Sequence, residues 1–138
     1  MNKETNMNFK EYIETTKKSD ADYKKIAEEF KNNFSLMESP EDVMTMAQTI
    51  VMVCGEKLGK WEHGLELLKK IKNNATILDK AEMNRCVAIL KLGNDPYSSL
   101  ETFSPADQKI IYTVTANALK NLGGLKNAEK LLEKASKL

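Results

Sequence analysis

Apolar residues along the chain recur at helical spacing, and no segment shows the two-residue alternation of a half-buried strand. Residues 39–42 and 104–107 mark helix starts, since Ser39 and Ser104 are good N-caps and each is followed by Pro and then by an acidic residue in the first turn. Residues 19–22 resemble a weaker start of the same kind. The pattern predicts helices at residues 8–17, 20–36, 40–57, 60–72, 76–91, 95–103, 105–121 and 125–137.

The tripeptide Lys-Leu-Gly occurs twice, ending at Gly59 and at Gly93, 34 residues apart. A third segment aligns with the first when Gly123 is placed on Gly59. We expect each of these glycines to end the first helix of a helical hairpin, in a conformation that other residues resist.

The second helices of the first and third segments share a pattern after the glycine. A large apolar residue follows two positions later and a small residue five positions later, and the small residue allows two helices to approach closely. The middle segment departs from this pattern, because Pro96 interrupts its second helix. The shared positions are Trp61 and Leu125, followed by Gly64 and Ala128.

A period of 34 residues with a turn glycine, a following large apolar residue and a small residue at the tight contact resembles the tetratricopeptide repeat (TPR). The length and the helical pattern favour one all-α domain over residues 1–138, and the resemblance covers about residues 41–138. The implied architecture would be an array of antiparallel helical hairpins, a TPR-like right-handed α-solenoid of about 7–8 helices. The repeats would span residues 41–74, 75–104 and 105–138, with residues 1–38 as an N-terminal helical extension or an eroded repeat.

In that family the first helix of each unit lines an inner groove, and the resemblance implies the same positions here. The implied groove is largely apolar, and we do not predict a clamp for a terminal carboxylate, because Thr49, Val53 and Val114 occupy positions that such a clamp needs. Lysines at the rim are expected to steer an acidic or amphipathic segment. The predicted partner-binding residues are Met46, Ile50, Val53, Lys57, Lys80, Met83, Asn84, Val87, Lys91, Ile110, Val114 and Asn117.

Two occupants of this apolar groove remain open from the sequence. A helical or extended apolar segment of a partner protein would cover it, or the N-terminal helices of the chain itself would fold back over it.

Composition narrows the classes of partner. The net charge of +1 gives no basis for binding nucleic acid, and the longest wholly apolar run, residues 50–54, is far too short to span a membrane. The first ten residues lack the features of a signal peptide, and two cysteines do not form a disulfide framework. We therefore expect a cytoplasmic protein with reduced thiols.

The side chains that carry chemistry are few. Cys54 and His63 are the one imaginable nucleophile and base, and adding Cys86 would give the one imaginable zinc site, but the close ligand pairs of zinc sites are missing. We predict no catalytic residue, no metal and no cofactor.

The predicted function is therefore a non-catalytic protein-protein interaction module, adaptor or chaperone-like in action. One alternative is a self-assembling structural subunit, such as a homodimer, that uses the terminal hairpin, whose second helix has an apolar stripe and no further helix to cover it. An enzyme or regulator that uses Cys54, Cys86 and His63 is the third hypothesis.

Overall fold

The computed structural model describes residues 7–74 and 79–138, and in those residues the chain is all helical, with no strand. The predicted helix start at residue 76 lies outside the described residues. The described residues form seven α-helices, and two of these continue into a helical segment of different winding. In chain order they are α1 (Phe9–Thr16), α2 (Tyr23–Glu29) with a 3₁₀ segment (Phe30–Leu36), α3 (Pro40–Ile50) with a π segment (Val51–Lys57), α4 (Trp61–Asn74), α5 (Lys80–Asn94), α6 (Pro105–Asn121) and α7 (Leu125–Ser136).

The helix starts follow local capping chemistry. The hydroxyl of Ser39 accepts a hydrogen bond from the backbone N–H of Asp42 at 3.2 Å, and Ser104 accepts one from Asp107 at the same distance, as predicted. The weaker start was misplaced: Asp22, not Ser19, caps α2 through its carboxylate. A carboxylate accepts this bond more strongly than a hydroxyl does, which explains the later start.

The first and last hairpins contain the glycines that the repeat predicts. Gly59 and Gly123 have φ of 66° and 90°, a conformation that costs glycine little and other residues more. In the first hairpin, a Cβ on Gly64 would lie 3.1 Å from the Cβ of Cys54 and 3.0 Å from Leu90 Cδ1. The small residue therefore does allow the predicted close approach.

The middle unit lacks its second helix, so the predicted helix at residues 95–103 is wrong. The carboxylate of Asp95 accepts a hydrogen bond from the backbone N–H of Tyr97 at 3.1 Å, and Ser99 Oγ accepts one from Glu101 at 3.3 Å. These local bonds, together with the missing N–H of Pro96, compete with a helical ladder. The segment forms turns instead, and α5 packs directly on α6.

One apolar core joins the elements from α1 to α7. The N-terminal helices are part of it, because α1 packs against α3 and α2 packs against the π segment. The Nε2–H of His63 donates to the backbone carbonyl of Ala27 at 2.9 Å and so ties α4 to α2. α7 packs against α6 and forms the other end of the molecule.

None of the helices in residues 7–74 and 79–138 has both the length and the apolar character that crossing a membrane would require.

Candidate functional site

A groove runs between the π segment, α5 and α6, and we call it the central groove. It consists of two adjoining cavities of about 150 and 250 Å³ that share Gln48, Val51, Ile89 and Val114 in their linings. α6 follows the groove for its whole length, from Ile110 in the larger cavity to Ala118 in the smaller one. Apart from Trp61, its lining comes from the chain segments 48–56, 82–89 and 110–118.

The floor and walls of the central groove are apolar. Ile89 is buried, whereas Val51 and Met52 are half-buried. On the α6 wall, Ile110 is 49% exposed and Val114 is 41% exposed, one helical turn apart. Two half-exposed aliphatic side chains that continue an apolar groove form a candidate interaction surface.

A chain of hydrogen bonds closes the end of the groove near Ile110. Gln48 Nε2 donates to Glu82 Oε2 at 3.0 Å, and Arg85 donates to Glu82 Oε1 through Nη2 at 2.7 Å and through Nε at 3.0 Å. Arg85 Nη1 also donates to Asp107 Oδ1 at 3.3 Å. These bonds connect α3, α5 and α6, and two N–H groups of Arg85 donate to the one oxygen Glu82 Oε1. Being partly exposed to solvent, they orient the helices more than they stabilise them.

The opposite end of the groove carries a carboxylate without a partner. Glu56 is half-buried and lines the smaller cavity together with Met52 and Trp61. Within the described part of the chain its carboxylate takes part in none of the side-chain hydrogen bonds and none of the ion pairs. A carboxylate in such a place is open to pairing with a cation.

The predicted groove residues fall into different parts of the molecule. Ile110 and Val114 lie on the central groove. The predicted inner face of the first two units is instead buried, so four residues do not line an open groove. These four are Met46, Ile50, Val53 and Met83.

Three further predicted residues line a separate cavity of about 540 Å³ on the other side of α5. Asn84, Val87 and Lys91 face this cavity together with residues 102–104, which belong to the segment that lacks the predicted helix. The remaining three predicted residues are exposed and line neither the central groove nor the separate cavity. They are Lys57, Lys80 and Asn117.

Two features displaced the groove from its predicted face. The N-terminal helices pack on α3 and on the π segment, and this part of the core includes Met46 and Ile50. The π segment then winds more residues per turn than an α-helix, which moves Val51 and Glu56 onto the open side. The prediction missed both residues. One feature of the sequence hints at this face. Gln48 and Glu82, whose side chains are hydrogen-bonded across the rim of the groove, are 34 residues apart, which is the interval of the predicted repeat.

The two cysteines and the histidine that the sequence offers for catalysis or metal binding take part in packing and hydrogen bonding within the fold. Cys54 and Cys86 are buried free thiols, and burial raises the pKa of each to about 12, so neither is a thiolate near neutral pH. The His63 ring is engaged with the Ala27 carbonyl. Among the described residues, no group of three or more His, Cys, Asp or Glu side chains is placed to hold a metal ion.

No protein-family model, curated protein or solved structure matches this chain. The resemblance to the tetratricopeptide repeat thus stays a prediction from the residues.

Proposed function

We propose that the chain is a non-catalytic protein-interaction module, adaptor or chaperone-like, whose central groove binds a helical or extended apolar segment of a partner protein. The observation that carries the proposal is the open pair Ile110 and Val114, set in an apolar groove with polar groups at both ends. An apolar patch bounded by polar side chains is the usual form of such a docking site.

The origin of the lining residues supports the same proposal. Nearly all of them come from helices that would be the first of each hairpin in a TPR-like solenoid, and first helices line the groove in that family. The proposed array is compressed in the middle, where the second helix is absent and α6 also contacts the π segment. The two free thiols fit a cytoplasmic setting, which is part of the proposal.

The energetic gain is concentrated on few side chains. Fully burying an exposed aliphatic side chain contributes about 1.5–3 kcal/mol, so covering the half-exposed Ile110 and Val114 would contribute about 1 kcal/mol each. A micromolar complex needs about 8 kcal/mol in total. Further contacts at the groove ends are therefore required.

The test is affinity capture of partners from a lysate of the native source, comparing the wild type with an Ile110→Glu, Val114→Glu variant. Both side chains are already half exposed, so the variant is expected to fold, which circular dichroism and a melting curve would check. Ile50 is unsuitable for this test because it is fully buried. We expect the groove variant to lose a partner that the wild type retains.

A matched control carries two similar changes outside the groove, Leu125→Glu and Leu132→Glu on α7. These side chains are 56% and 37% exposed. The control should retain the partner. A partner that survives the groove substitutions but is lost from the α7 control would contradict the proposal.

The exposed leucines of the terminal hairpin favour a second candidate function, self-assembly. They are Leu122, Leu125, Leu132 and Leu138. This candidate predicts that the mass of the wild type in solution rises with concentration and that the α7 variant stays monomeric. A mass that does not change with concentration would reject it.

A further inference from the structure

The charges along the central groove indicate what kind of segment it takes, an inference that rests on the proposed function. Of the described residues that line the groove, three carry charge: Glu56, Glu82 and Arg85. At one end, Arg85 is paired with the carboxylates of Glu82 and Asp107. Glu56 stands at the other end, and among the described residues its carboxylate takes part in none of the ion pairs. The unpaired carboxylate thus marks one end of the groove.

The lysines expected to steer an acidic partner do not lie along this groove. Lys57 Nζ lies 5.7 Å from the centroid of the Tyr23 ring, and Lys91 faces the separate cavity behind α5. A partner placed over Glu56 would remove water from its carboxylate, which is costly unless a cation replaces that water. The complementary partner therefore carries a basic group at this end.

The walls of the groove also favour a helix over an extended segment. An extended backbone needs hydrogen-bond partners for its N–H and C=O groups, and the described part of the chain has no strand whose edge would supply them. A helix satisfies its own backbone groups and offers an apolar stripe. From Ile110 to Ala118 the α6 wall rises roughly 12 Å, which matches about two turns of a bound helix.

We propose that the occupant of the central groove is an amphipathic helix of a partner protein, whose apolar stripe of about two turns ends in a Lys or Arg that pairs with Glu56. The polar end of the groove, where Glu82 and Arg85 are already paired, accepts a neutral polar residue of that helix.

The experiment selects binders from a displayed library of helix-forming peptides of about 16 residues, roughly 24 Å long as a helix. The targets are the wild-type chain, Glu56→Lys and the Ile110→Glu, Val114→Glu groove variant. Glu129→Lys reverses an exposed charge on α7 and serves as the control. The emission of Trp61, the single tryptophan of the chain, reports binding of the synthesised peptides because it lines the groove.

We expect peptides selected on the wild type to show an apolar i, i+3 or i+4, i+7 stripe flanked on one side by Lys or Arg. Their Kd should weaken about tenfold or more on Glu56→Lys and should not change on Glu129→Lys. Selection on Glu56→Lys should favour Asp or Glu at the flanking position.

Three results would overturn the inference, and they separate it from the proposed function. Peptides that need Ile110 and Val114 but show no basic preference would leave the groove as a docking site and reject the role of Glu56. Peptides that bind the groove variant as well as the wild type would reject both. A selection that enriches no peptide would also count against both.

Discussion

Gly59 and Gly93 both end a Lys-Leu-Gly tripeptide, but the two glycines have different structural roles. Gly59 ends its helical segment with positive φ, whereas Gly93 is the second-last residue of α5 and has no positive φ, so the conformation predicted for it is wrong. A Cβ on Gly93 would lie 2.3 Å from Trp61 Cε3, and one on Gly55 would lie 2.7 Å from Trp61 Cζ3. The indole therefore packs directly on the backbone at both glycines.

Replacement of Gly93 by Ala tests this contact. Gly→Ala in an open helix stabilises by up to about 1 kcal/mol, but here the added methyl group would collide with the indole, and we expect a loss of about 1–3 kcal/mol. The free energy of unfolding by urea measures it. In a Trp61→Leu background the loss should shrink, because the colliding ring is gone. A Gly93→Ala protein more stable than the wild type would disprove the packing role.

The two buried thiols predict how stability depends on pH. Burial raises the pKa of Cys54 and of Cys86 from 9.0 to about 12, so between these values the unfolded chain has lost thiol protons that the folded chain keeps. The free energy of unfolding should therefore fall as pH rises from 9.0 towards 12, by at most about 1.4 kcal/mol per pH unit for each thiol.

Urea titrations of the wild type and of a Cys54→Ala, Cys86→Ala variant at several pH values measure this effect. The alanine variant will be less stable below pH 9.0, where the thiols contribute only packing, but its stability should fall less steeply above it. Equal slopes for the two proteins would show that the thiols do not titrate on unfolding.

At the scale of elements, the turn segment 95–104 is held by one buried side chain. Leu100 is only 4% exposed although its neighbours Ser99 and Glu101 are exposed. Tyr97, in the same segment, is 66% exposed and contacts Lys130 on α7 at 2.7 Å. The segment thus crosses the surface with Leu100 as its fully buried anchor, and Phe103 packs partly buried against the same core.

Leu100→Ala should lower the free energy of unfolding by about 2–4 kcal/mol, because it removes buried methyl groups and leaves a cavity. Tyr97→Ala is the matched control and should change it by about 0.5 kcal/mol or less, since its contacts are at the surface. Thermal and urea unfolding of both variants decide the matter. Similar losses for the two would mean that Leu100 does not anchor the segment.

The elements that the sequence predicted well are those set by local chemistry. Ser39 and Ser104 cap their helices as expected because N-capping involves only the next three residues. The π segment and the turns at residues 95–103 were missed. The helical spacing of apolar residues does not indicate that α2 and α6 both pack against the π segment. It also does not indicate that the Asp95 carboxylate accepts a hydrogen bond from the backbone N–H of Tyr97. The groove face depends on those tertiary contacts, so only its α6 wall was predicted.

At the scale of the whole molecule, the N-terminal helices of the chain cover one apolar face themselves, which is one of the two alternatives that the sequence left open. They pack on α3 and the π segment and share one core with the predicted inner face of the first unit. What remains open is the central groove, which they leave with Ile110 and Val114 exposed. The molecule therefore closes one apolar face internally and presents another, and this division is the basis of the proposed function.

The most direct measurement places a photo-crosslinking amino acid at position 114 of the chain, in the cells that produce it naturally, with the same amino acid at Leu132 on α7 as the control. The reactive group reaches only a few ångströms, so a covalent adduct requires contact. We expect one protein to be captured from position 114, its crosslinked segment apolar with a flanking Lys or Arg, and not from position 132. Capture of the same protein from position 132 alone, or from neither position, would contradict a partner-binding groove.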